Sequence, residues 1–291
     1  MSNALATITD SFNAEIAALL GQSGGNGQGS SLARLAVNTD HIVEIDGQDY
    51  QVPAGSFKTK DETGQVVYLS DFTFRPMMQR YHWSRYDENA NEGKGGITAA
   101  SIYIAKHSEE PYDDQGGVAC GKLRGKAARD EANLSDAQKL IQKAVQSFRL
   151  VWGTVTGVGK TALGNEVTLK DYPVELRLRG VNYMPFGEEV EEKLNRSKRM
   201  LPQVELKLTT KRQKKGSTVY YIIGYDFDPT KLLTIDAATI ATIQQFADHA
   251  KTWNEGIMEK HKAAMANRSK VSAPNFDDGL DADWAESGSE V

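Results

Sequence analysis

The chain has 291 residues, 40% hydrophobic and 25% charged, with a formal net charge of −5. These values fit a globular protein with a full core, and no run approaches the ~18 uninterrupted apolar residues of a membrane-spanning helix. A single cysteine, Cys120, excludes an intrachain disulfide and a cysteine-rich zinc site, and the five histidines show no metal-binding spacing.

Residues 10–20 read as a short amphipathic helix, with Phe12, Ile16, Leu19 and Leu20 on one face and Gly21 at its end. The start of the chain lacks the basic region of a secretory signal, so a cytoplasmic protein is expected. A Gly/Ser/Gln-rich flexible linker follows at 21–31, and a binding domain is expected over 32–233. Within it the pattern from 41 to about 230 is mainly β. HIVEIDGQDYQV places Asp46 and Gly47 between two alternating runs, a hairpin signal. Further strands are expected in VVYLSDFTFRPMMQRYHW, ITAASIYIAKH, FRLVWGTVTGV, NEVTLKDYPVELRLRGV, VELKLTTKR and STVYYIIGYDFD. Two helical stretches interrupt them, at about 135–148 and 187–200. The strongest helix pattern runs over roughly 235–266, within a 234–268 segment, where Ile243, Phe246, Ala250, Trp253 and Ile257 recur at helical spacing. Residues 269–291 read as a disordered acidic tail.

Gly153 to Thr161 reads GTVTGVGKT, close to the end of a phosphate-binding loop. The first glycine of that motif is replaced by Thr154, and an alternating strand follows where a helix is required. A β-turn at a barrel rim is the better expectation, with a nucleotide-dependent replication or recombination enzyme as the alternative. No nucleophile motif is present, so no catalytic residue, cofactor or metal is assigned. Asp226 and Asp228 alone make a weak metal pair.

Charge is unevenly distributed. Six of the 39 acids and none of the 34 bases lie in 271–291, which leaves the body near neutrality, while residues 194–215 hold eight Lys/Arg and one acid, Glu205. Single strands are bound by cations along phosphates and by flat rings against bases. Four segments combine these features. RYHWSRY supplies Arg80, Tyr81, Trp83, Arg85 and Tyr86; CGKLRGKAAR supplies Lys122, Arg124 and Lys126; VELRLRGVNYMPF supplies Arg177, Arg179, Tyr183 and Phe186; and TTKRQKKGS supplies Lys211, Arg212, Lys214 and Lys215. In the tail, Phe276, Asp277, Asp278, Asp281, Asp283 and Trp284 form an acidic-aromatic motif suited to recruiting proteins or to competing with DNA for a cationic groove. A rival reading makes the tail a DNA mimic.

The runs GGVACGKLRGK, FRLVWGTV, VELRLRGVNYMPF and VELKLTTKRQKKGSTVYYIIGYDFD resemble phage-type single-stranded DNA-binding proteins, over roughly 55–230. The resemblance implies an OB-type five-stranded barrel with elaborated loops and a partner set of single-stranded DNA plus replication or recombination proteins. It carries the basic and aromatic positions of LRLRGVNYMPF, KLRGK and TTKRQKK over as binding residues. Zinc, held by clustered Cys and His in some such proteins, is not implied by Cys120 alone. The tail also continues past Trp284 to Val291, whereas related tails often finish on a bulky aromatic. The expected molecule is therefore a mainly β (α+β) body with a C-terminal helix and disordered termini; homo-oligomerisation is left open.

Overall fold

The computed structural model describes residues 32–124 and 134–270. The expected helix at 10–20, the linker, Lys126, and the tail motif Phe276, Asp277, Asp278, Asp281, Asp283 and Trp284 lie outside the described residues.

The fold is mainly β with a long C-terminal helix. Its main sheet contains β1 (Ala33–Val37), β4 (Phe57–Lys60), β5 (Val66–Asp87), β6 (Gly96–Ala100), β7 (Val145–Lys160) and β8 (Glu166–Leu178), in the order β4-β1-β8-β7-β5-β6. Because β4 also pairs with β5, the ladder β1–β4–β5–β7–β8 returns to its start through one parallel pair, β1 with β8. The ring is uneven. The β5–β7 ladder runs from Tyr68↔Lys160 to Arg85↔Val145, whereas β1 meets β4 only at Ala36↔Lys58 and Val37↔Phe57. Consecutive members of the ring are neighbours, and a Greek-key crossing, which an OB-type barrel has, is not among these pairings.

Two hairpins stand outside the ring. Between β2 (Ile42–Ile45) and β3 (Gln48–Gln51), Asp46 and Gly47 have φ of 51° and 76°. That two-residue turn matches the twist of the strands it joins, as the Asp-Gly pair implies. The second hairpin, β9 (Lys207–Lys215) with β10 (Thr218–Asp226), is anchored to β5 by reciprocal backbone bonds between Phe74 and Leu206 of 2.9 and 2.8 Å.

β7 explains how the layers stack. Phe148 to Val155 is buried without interruption, which requires cover on both sides, since successive side chains point to opposite faces. Val151 and Val155 face the ring interior with Phe74, Leu176, Leu178, Phe186, Leu206 and Ile223. Phe148, Leu150 and Trp152 face outward, where Phe246 and Ala250 cover them. Those two residues belong to a helix over Ala237–Lys270, here α3. It is started by Asp236, which accepts from the backbone amide and hydroxyl of Thr239 at 2.8 and 2.7 Å. The expected apolar stripe is the face that docks. Trp253 stacks on Tyr103 at 5.1 Å and 16°, and the Asn254 amide bonds both backbone groups of Tyr103 at 2.7 and 2.9 Å.

The earlier helices are shorter than their patterns suggested. α1 (Asp136–Ala144) carries a Ser135/Gln138 capping box and ends where the β-branched Val145 opens β7. In the 187–200 stretch a π-helical turn over Gly187–Glu191 leads into α2 (Glu192–Arg196).

The turn expected within 153–161 is a correction: β7 continues through Lys160, and the chain reverses only between Thr161 and Asn165. The glycines there serve close strand approach. A Cβ on Gly153 would lie 2.8 Å from Phe74 Cε2, and one on Gly157 would lie 2.7 Å from Phe72 Cβ. A phosphate loop needs free amides between a strand and a helix, but these residues pair with β5 and β8.

Candidate nucleic-acid interface

The β9–β10 hairpin is a two-faced ribbon. Cross-strand partners share a face, so Leu208 with Tyr225 and Thr210 with Ile223 turn toward the core. Thr209, Lys211, Gln213 and Lys215, with Thr218, Tyr220 and Ile222 opposite, turn outward. On the inner face Tyr221, opposite Arg212, is still buried, but Arg212 and Lys214 are themselves exposed. Lys211, Arg212, Lys214 and Lys215 form no ion pair among the described residues, whereas Lys207 at the base pairs with Asp71 at 3.3 Å. The turn at Gly216, with φ of 62°, closes this cationic tip. Tyr220, half-buried among these cations, was missed from sequence; its pairing with Gln213 between Lys211 and Lys215 was the available signal.

The RYHWSRY rings lie elsewhere, and this is a correction. Tyr81 and Trp83 are 7% and 3% exposed, and Phe186 is fully buried, so none offers a face to a base. Alternation along β5 sends Tyr81 and Trp83 inward, so aromatic content there reports packing. Tyr81 lies 3.9 Å from His107 ring to ring, and Trp83 lies under Arg124 at 5.2 Å. Arg124 also donates to the carbonyls of Glu109 and His107. Lys122 donates to Val145 O at 2.7 Å, and burial lowers its pKa. These two cations tie the 101–124 loop to the body. Arg80 is half-buried in the groove between β5 and α3, Arg85 donates to Thr98 Oγ1 at 3.3 Å, and Tyr86 is exposed.

Beneath them is a buried cation that sequence reading passed over. Arg149 bonds Glu191 at 2.7 Å, and its guanidinium carbon lies 5.5, 5.4 and 5.8 Å from the rings of Tyr81, Tyr183 and Phe186. Tyr183 is half-buried, with its hydroxyl 2.6 Å from His107 Nε2. A Cβ on Gly187 would lie 2.9 Å from both terminal nitrogens of Arg149, so glycine makes room for them. The signal was the lone arginine inside the apolar FRLVWGTV run, since a charge in such a strand needs a partner.

On the outer face of β8, Glu175, Arg177 and Arg179 follow at alternate positions. Glu175 is buried and takes both Trp152 Nε1, at 3.0 Å, and the Arg177 fork, at 2.9 and 2.6 Å. Arg177 is thus committed to an internal carboxylate, a correction to its reading as a phosphate-facing residue. Arg179 is exposed and donates to Gln146. The structure therefore gathers the exposed ribbon cations on one hairpin, leaves Arg179 open on β8, and places Tyr81, Trp83 and Phe186 inside.

No family model, curated protein or solved structure matches the chain.

Among the described residues no group of three or more His, Cys, Asp or Glu is placed to hold a metal ion, and no helix is long and apolar enough to cross a membrane. Burial, with the Asp113 and Asp114 charges, pushes the Cys120 thiol up to about 12. Three histidines are held neutral. Burial drives His82 down to about 3, helped by the Arg177 charge and opposed by Ser101 O. His107 is lowered by burial and by Arg124 and Arg149, and His249 by burial against the pull of Glu175.

In the unfolded chain each histidine titrates near 6.5. Below that pH the unfolded state takes up protons that the folded state refuses. Stability is therefore full above about 6.5 and falls on acidification, with His82 contributing about 1.4 kcal/mol per pH unit until about pH 3. Urea midpoints at pH 7 and pH 5 check this. H82Q is expected to show a shallower pH dependence; an unchanged one would remove His82 as the cause.

Proposed function

We propose that the chain binds single-stranded DNA and coats it during replication or recombination, without catalysis of its own. The observation that carries this reading is the β9–β10 ribbon. Lys211 and Lys215 on one face, and Arg212 and Lys214 on the other, are exposed and free of ion pairs among the described residues, on a hairpin whose other end is fixed in the core. Four unneutralised cations repel one another, and polyanion phosphates relieve that cost while releasing counterions. Tyr220 is the ring best placed beside them to stack a base, a contact worth about 1–3 kcal/mol. Phosphate contact thus dominates, which favours binding with little sequence preference.

The five-strand ring shares its strand number and mainly β character with an OB-type body, and its meander order differs from that body's Greek key. Recruitment of replication or recombination proteins through the acidic tail, and a cytoplasmic setting, belong to the same reading.

Fluorescence anisotropy tests it with labelled single-stranded DNA, RNA and duplex across a salt series. Binding to single-stranded DNA that weakens steadily with salt is expected, and duplex is expected to bind less well. Absence of binding at low salt would end the proposal.

A further inference from the structure

The ribbon does not end in isolation. Asn182, which follows Arg179 and Gly180 out of β8, clamps the middle of β10: its amide donates to Tyr221 O at 3.0 Å and its carbonyl oxygen accepts from Ile223 N at 2.8 Å. Tyr221 is the cross-strand partner of Arg212. The end of β8 is therefore bonded to the ribbon at the level of its first free cations. At the other end of that stretch of β8, the parallel register sets Arg34 of β1 opposite Glu175. In-register residues share a face, so Arg34 lies on the same outer surface as Arg177 and Arg179.

This surface holds three guanidiniums and one carboxylate. Glu175 is already occupied by Arg177 and Trp152. Arg34 and Arg179 are exposed, and neither has an ion pair among the described residues. Arg34 was not singled out from sequence.

We infer that one bound single strand spans both patches, running from the ribbon tip past Asn182 to a second phosphate site formed by Arg34 and Arg179. This rests on the single-strand reading above and adds a path to it. At ~3.3 Å per residue, Arg212 to Lys215 covers about 10 Å, and Arg179 back to the Arg34–Glu175 rung covers about 13 Å. With the step across Asn182 the track is on the order of 30 Å, or about nine nucleotides at the ~3.4 Å spacing of a stacked strand.

Labelled oligothymidines of four and twelve nucleotides, titrated against the full chain, test the path. R34A/R179A is expected to weaken binding of the twelve-mer about tenfold and to reduce its salt slope by about 1.4. The four-mer, held by the ribbon, is expected to change less than about twofold. R34K/R179K, which keeps both charges, restores the twelve-mer. If R34A/R179A leaves the twelve-mer unchanged while loss of the ribbon cations weakens it, the path is wrong and the single-strand reading stands. Equal losses on both lengths, or lysines that fail to restore binding, also overturn the path. If the unaltered chain binds neither oligomer, both fall.

Discussion

Replacing Lys211, Arg212, Lys214 and Lys215 together by alanine is expected to flatten the salt dependence of single-stranded DNA binding by about 2.8 in the log–log slope. Each phosphate neutralised on a single strand contributes about 0.7 to that slope, and these four side chains are exposed with no ion-pair partner among the described residues. The substitutions lie from the middle of the β9–β10 ladder to its tip, beyond the Leu208–Tyr225 and Thr210–Ile223 pairs that turn toward the core. Folding should therefore survive, and a thermal melt of the variant should overlay that of the parent. Anisotropy titrations at several salt concentrations supply the slope. A large loss of affinity with the slope unchanged would mean that the cations act by shaping the protein, and the ribbon would lose its place as the phosphate contact.

The second expectation concerns stability. Arg149→Leu should cost about 3–5 kcal/mol, because it leaves Glu191 facing a partly buried site without its partner. It also removes the cation shared by the Tyr81, Tyr183 and Phe186 rings. Glu191 is 29% exposed against 6% for Arg149, so E191Q should cost less: water reaches that end of the pair, and the amide still accepts a hydrogen bond. Urea denaturation of R149L, E191Q and the combined R149L/E191L variant forms the check. The double change should recover part of the R149L loss, since it removes the stranded charge. If R149L proves no worse than a surface substitution, the ring-lined arginine is not the post that fastens 183–191 to the main sheet.

Much of the fold was readable because local chemistry and global packing agree where the signal is strong. Asp46 and Gly47 had to turn, and the Phe246, Ala250, Trp253 and Ile257 stripe had to find an apolar surface. The helix expected over 187–200 ends at Arg196 and opens on a π-helical turn where Gly187 makes room for Arg149, a tertiary demand with no local trace. The glycines of 153–159 suggested a turn because glycine spacing does not record whether the backbone needs positive φ or merely lacks space for a Cβ.

The candidate site was half legible for a similar reason. Lys211 to Lys215 could be placed at a hairpin tip because a turn follows them directly. Period-two alternation placed Arg177 and Arg179 on one face correctly, but it is silent about Glu175 two positions earlier capturing Arg177. In RYHWSRY the odd and even positions enter different cores, so a run that looked like one binding strip is divided between a cluster with Ala99, Ile104 and Cys120 and the α3 side. Arg34 has no sequence signature, since its neighbours are supplied by a strand about 140 residues away through the parallel pairing of β1 with β8.

The docking of α3 also sets a timetable for the nascent chain. Trp152, Leu150 and Phe148 leave the ribosome about a hundred residues before Phe246 and Ala250, which cover them. Until that helix is synthesised, the Trp152 flank of the growing polypeptide lacks the Phe246 and Ala250 part of its cover, so this side of the sheet completes its packing late.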